Sequence, residues 1–119
     1  MAHGGFLRQH SGDPELASHI MHDYTQANLD PVTRGMLDFA SKLTRTPTSI
    51  EQSDVQKLRD LGLNDEQILS VVLITCVFNF MTRLADGLNV EVPEERQQGH
   101  EHWLSEAAKG QDWLMKPKV

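Results

Sequence analysis

Cysteine is almost missing from this chain: Cys76 is the only one in 119 residues. A single thiol excludes an internal disulfide framework and fits a reducing, cytoplasmic setting. Aromatic residues are scarce, at 6%. That suits a core of Leu, Ile, Val, Met and Ala packed on helices. Positive charge is in deficit, with 11 Lys and Arg against 17 Asp and Glu and a formal net charge of −6. No basic stripe stands ready to meet phosphates, so neither nucleic acid nor a membrane surface is an expected partner. Glycine-rich phosphate loops, a Gly-x-Ser-x-Gly elbow, internal repeats and low-complexity tracts are all lacking. Residues 1–12 show no apolar segment of a signal peptide. The longest run without strongly polar residues, 68–78, is roughly half of the ~20 residues a membrane span needs. The length suffices for one small domain.

The most informative stretch is NDEQILSVVLITCVFNFMTRLADG, residues 64–87. It is too long for a strand without a Gly or Pro, so its apolar run reads as a helix buried on most sides. Asn64 with Gln67 three residues later forms a capping-box pattern, and Gly87 is the expected stop. The pattern predicts a helix over Asp65–Asp86, central to the fold, with Leu69, Val72, Leu73, Cys76, Phe80 and Leu84 buried. Asn79, Arg83 and Asp86 recur at i, i+4 and i+7 as a polar stripe near its end. The structural reading pairs Arg83 with Asp86 or a backbone carbonyl, which also suits the helix dipole. The functional reading makes the three residues the border of a cleft toward His3.

The rest of the chain supplies shorter helices. Residues 1–12 resemble the last turns of a helix. Asp13-Pro14 starts the next, with Leu16, Ala17, Ile20, Met21, Tyr24 and Ala27 at helical spacing. Asp30-Pro31 starts another, carrying Val32, Met36, Phe39, Ala40 and Leu43 and ending before Pro47. Thr48 or Ser49, with Glu51 or Gln52, is the expected cap of a helix bearing Ile50, Val55, Leu58 and Leu61, closed by Gly62. The class is all-α, a helical bundle around one long buried helix. A main helical domain is expected over 1–92. A charged extension over 93–119, with one weak helix around Trp103, Leu104 and Ala107, follows it.

Chemistry has few places to sit. Cys76 lies inside the apolar run and is expected to be a small buried hydrophobe held as the neutral thiol. His19 and His22 share a helical face at i, i+3, but no third or fourth ligand is near, so no metal site is expected. His100 and His102, at i, i+2, do not share a face. No cofactor is expected.

Several local patterns together resemble a known family. They are HGGFLRQHSGDPELA, MLDFASKLTRTP, and SDVQKLRDLGLNDEQIL leading into FNFMTRLADGLNVEVPEE. In order and spacing they resemble the peroxidase-related branch of the alkylhydroperoxidase-like, carboxymuconolactone decarboxylase family, from about Ala2 to Glu95. The most specific pieces are LDFASKLT, the Asp54…Leu58-Arg59…Gly62 spacing and Asn79…Arg83-Leu84-Ala85. The resemblance implies an all-helical fold in homo-oligomers. It also implies thiol-based hydroperoxide reduction by a Cys-x-x-Cys pair at a helix start with a nearby histidine relay.

The chain departs from that pattern at its beginning. Met1 corresponds to a position about one residue after the second cysteine of the pair. Both cysteines are absent, as is the helix before them. His3 is the nearest candidate for the relay histidine, one position early, with Gly4 at the usual place. Three readings follow from the departure. The sequence is a piece of a peroxidase, or a non-catalytic scaffold or small-ligand binder, or a member using cysteine-independent, decarboxylase-like proton transfer. Under any of them little or no hydroperoxide reduction is expected of the 119 residues alone. A homo-oligomer, and a hydroperoxide or other small organic ligand, are the expected partners.

Overall fold

The computed structural model describes residues 2–13 and 15–95. Among them are five α-helices and no strand: α1 (Ala2–His10), α2 (Leu16–Asp23), α3 (Pro31–Arg45), α4 (Gln52–Asp60) and α5 (Asp65–Gly87). The all-α class stands. The contacts divide the chain into two units. The first takes in the described residues up to Asn28 and from Glu91; the second is Leu29–Val90. The helix expected around Trp103 lies outside the described residues.

In the first unit α1 packs on α2. Gly4 comes so close to Met21 that a side chain there would overlap the thioether. Ala17 is fully buried, and Arg8 Nη2 donates to Ser18 Oγ at 2.9 Å. Asp13 opens α2, its Oδ1 accepting the Glu15 N–H at 2.8 Å; the expected role of Pro14 lies outside the described residues. The spacing Leu16…Ala27 predicts a longer helix than is found. At Asp23 the backbone turns extended (φ −157°, ψ 92°) and the carboxylate accepts the Thr25 N–H at 3.0 Å. A short Asx capping competes with helix continuation at such a residue, and a 3-10 turn over Tyr24–Gln26 follows.

The second unit holds a small core of Phe39, Leu58, Leu63 and Ile68, with Met36, Val55, Leu61, Val71 and Val72 partly buried against it. Asp30 caps α3 as its position before Pro31 predicts: Oδ1 accepts the Thr33 N–H at 2.9 Å and Oδ2 the Thr33 hydroxyl at 2.6 Å. Those bonds hold the Asp30 carboxyl below its ordinary pKa, the hydroxyl contributing most. Gly35 lets α3 approach α4, since a Cβ there would run into Leu61.

The start of α4 differs from expectation. Pro47–Ser49 form a 3-10 turn, and the helix begins three residues later with Glu51 as its cap. The Glu51 N–H donates to Asp54 Oδ2 at 2.9 Å, so Asp54 is the reciprocal residue of the box. Leu63 N–H to Leu58 O (3.2 Å) and Gly62 N–H to Arg59 O (2.8 Å) close α4 in a Schellman motif around Gly62 at φ 96°.

α5 begins where the sequence places it. Asn64 N–H donates to Gln67 Oε1 and Gln67 N–H to Asn64 Oδ1, both at 2.9 Å. Its end is shifted, because Gly87 is still helical and the left-handed residue is Asn89, at φ 52°. Val90 N–H to Ala85 O (2.9 Å) and Asn89 N–H to Asp86 O (3.0 Å) make a second Schellman motif there.

The expected burial of α5 fails. Only Ile68 is buried, at 6% exposure, while Leu73 is 54% and Phe80 64% exposed. Leu69, Leu84 and Cys76 are also exposed, and Val72 is half-buried. The cause is a shortage of neighbours. α3 and α4 together cover only the stripe Ile68, Val71, Val72, Thr75 and Asn79. A helix apolar on all sides needs partners on all sides. α5 is also long and apolar enough to cross a membrane, by length and composition only.

Candidate functional site

Two clefts open on the second unit. The larger, about 660 Å³, lies between α3 and α4 and is lined by Arg34, Asp38, Lys42, Asp54, Lys57 and Asp60 among others. Its central group is already engaged. Lys42 Nζ donates to Asp54 Oδ2 at 2.6 Å, and Lys57 Nζ stands 3.8 Å from Oδ1. The Lys42 hydrogen bond, then the Glu51 N–H, lowers the Asp54 pKa against the opposing pull of burial. Cations and anions balance along this cleft, so it offers no net field to a charged ligand. Lys42 belongs to LDFASKLT and Asp54 to the Asp54…Gly62 spacing. Two of the three most specific sequence patterns therefore meet in an ion pair that joins α3 to α4.

The smaller cleft, about 300 Å³, is lined by Leu43, Thr44, Pro47, Cys76, Asn79, Phe80 and Arg83. α5 supplies Cys76, Asn79, Phe80 and Arg83, which lie within two turns and share one side because they are three, four and seven residues apart. The end of α3 supplies Leu43 and Thr44, and Pro47 follows from the turn that stops it. Asn79 is the hinge of the polar part. Its Nδ2 donates to Thr44 Oγ1 at 2.9 Å and to Thr75 O at 3.0 Å. Its Oδ1 and backbone O accept from Arg83 Nη1 at 2.9 and 3.2 Å. The amide is thereby fixed in orientation, and it fixes the guanidinium.

The structure thus puts Cys76, Asn79 and Arg83 in one cleft. Asp86 does not line it; its carbonyl accepts the Asn89 N–H at the end of α5. Arg83 reaches the Asn79 carbonyl, the backbone form of the structural reading. His3 belongs to the first unit, its ring centroid 6.4 Å from that of Phe6 and tilted by 60°. Cys76 is exposed, against the burial expected from its apolar run. Among the described residues no group of His, Cys, Asp and Glu could hold a metal ion. His100 and His102 lie outside them. The α3 contribution, Thr44 above all, escaped the sequence reading. Its partner Asn79 is thirty-five positions away, and no local pattern encodes that pairing.

Several solved structures resemble the chain, among them two peroxidase-related proteins. One is an uncharacterized peroxidase-related protein from Silicibacter sp. TM1040, 40% identical, with a TM-score of 0.73 over 79% of this chain and 49% of that one. The other, from Ralstonia eutropha JMP134, is described as an alkylhydroperoxidase AhpD core and an uncharacterized peroxidase-related protein. It is 31% identical, with a TM-score of 0.70 over 79% of this chain and 50% of that one. This chain spans about half the length of each. No family model and no curated protein matches it.

Proposed function

The chain belongs to the alkylhydroperoxidase-like, peroxidase-related family, and from that premise we propose that its 119 residues form the helical body of a peroxidase-related protein without supplying the reducing pair. The observation that carries the reading is the thiol count. Reducing a hydroperoxide to alcohol and water takes two electrons. A thiolate attacks the O–O bond and becomes a sulfenic acid, which a second thiol converts to a disulfide with loss of water. These residues contain one thiol, Cys76. Because it is exposed, burial does not silence it; the missing partner does. The assay is organic hydroperoxide consumption with excess dithiothreitol, comparing the chain with Cys76→Ser. Equal, near-background rates are expected. Robust turnover that vanishes in the Ser variant would show that Cys76 works with the external thiol as resolving partner.

The bare α5 supports a homo-oligomer as the working form. Leaving aside Phe80, which walls the smaller cleft, nine large apolar side chains on and just after it, residues 69–90, are 44–70% exposed. With roughly 150–250 Å² for a large side chain, they present on the order of 800 Å² or more, about one partner's share of a stable interface. A typical monomer's largest patch is roughly 300–600 Å². The surface carries no charge between Glu66 and Arg83. Its hydroxyls are turned inward, Ser70 donating to Glu66 O, Thr75 to Val71 O and Thr82 to Phe78 O. An uncharged stretch from Gln67 to Thr82 whose hydroxyls are turned inward suits a second copy of itself better than a polar partner. Light scattering should give a dimer or larger species at micromolar concentration, reverting toward monomer in Val77→Glu. A monomeric wild type would overturn this. The same apolar partnering, inside a cytoplasmic oligomer rather than in lipid, is the proposed role of α5.

A further inference from the structure

We propose that the cleft at the C-terminal half of α5 binds a small organic monocarboxylate, its carboxylate on Arg83 and its short apolar tail between Leu43, Pro47 and Phe80. The proposal does not depend on whether the chain reduces hydroperoxides.

The polar end is prepared for an anion. Arg83 is anchored through Nη1 alone, to Asn79 Oδ1 at 2.9 Å and Asn79 O at 3.2 Å. Asn79 is held in turn by Thr44 and the Thr75 carbonyl. Nothing in this relay is acidic, and among the described residues no carboxylate forms an ion pair with Arg83. Nε and Nη2 remain as donors, arranged as the fork that matches a planar carboxylate with two parallel hydrogen bonds. Fixing the fork in advance lowers the ordering cost of binding.

The other end is apolar. Leu43, Pro47 and Phe80 wall the cleft beside Cys76. A volume of about 300 Å³ is at the small end of ligand sites and holds roughly ten non-hydrogen atoms at ~30 Å³ each. An inorganic anion would leave this wall wet, and a neutral hydrocarbon would leave the fork unused. A short alkyl or aryl carboxylate uses both.

The test titrates sodium hexanoate into the full 119-residue chain, following backbone and Arg side-chain signals by NMR. Saturable shifts are expected at Thr44, Asn79, Phe80 and the Arg83 Nε–H. Arg83→Leu is expected to weaken binding at least about tenfold, the loss of a charge-assisted pair. Arg83→Lys should recover only part of it, because an ammonium keeps the charge but not the fork. 1-Hexanol, tested on the unmodified protein, is expected to give no saturable shift at Arg83. That control needs no variant to fold. Absence of saturation with hexanoate would overturn the proposal. So would equal affinity in a folded Arg83→Leu variant, or hexanol binding as well as hexanoate.

Discussion

α4 and α5 are neighbours in the second unit and treat their apolar residues in opposite ways. α4, QSDVQKLRD, offers little besides Val55 and Leu58, yet Leu58 is 1% exposed and even Asp54 is buried. α5 has the longest apolar run in the chain and buries Ile68 alone. Apolar content sets how strongly a side chain favours burial; the number of helices within reach decides whether it is buried. α4 is short and sits against both α3 and α5, so Leu58 and Asp54 are buried and Val55 is half-buried. α5 extends beyond the reach of both, and only the stripe facing α3 and α4 finds contacts. The same contrast runs along α5, from Ile68 in the core to Phe80 at the edge of the smaller cleft.

The comparison breaks most sharply at paired leucines. Leu58→Ala should cost about 2–5 kcal/mol, because transfer and cavity terms add at a fully enclosed site. Leu73→Ala, at 54% exposure, should cost about 0.5 kcal/mol or less in the monomer. Urea denaturation at low and high protein concentration measures both. A Leu73→Ala cost that grows with concentration would show a second copy covering α5.

Next comes the ion pair that seats α4 on α3. Its carboxyl has a lowered pKa, chiefly through the Lys42 bond. Its stabilisation is therefore fully present above the ordinary Asp value near ~3.9 and is lost as pH falls through the lower folded value. Asp54→Asn should lower the melting temperature by several degrees at neutral pH. The difference between variant and wild type should narrow below about pH 4. Thermal melts across that range read both effects, and a difference that is independent of pH would remove the electrostatic account.

A smaller effect than that of Leu58→Ala belongs to the start of α5. Asn64→Ala removes one half of a reciprocal cap and should cost about 1 kcal/mol. The helix should survive, because its contacts with α3 are distant from the cap. Circular dichroism and a denaturation midpoint measure this.

The sequence by itself determined what is local. Asp30-Pro31, Asn64 with Gln67 and Gly62 each act within a few residues, through hydrogen bonds between a side chain and nearby backbone. Helix class and three of the boundaries follow from such signals. Only the tertiary structure decided the rest. Glu51, not Ser49, caps α4 because Pro47–Ser49 take a 3-10 turn and Asp54, bound by Lys42 from α3, closes the box. Thr44 meets Asn79 because α3 packs on α5, and that contact turns a polar stripe into a cleft with a fixed arginine. Cys76 is exposed for the complementary reason. An apolar neighbourhood in sequence becomes a buried one only where other chain segments come to cover it, and along most of α5 none of the described residues do.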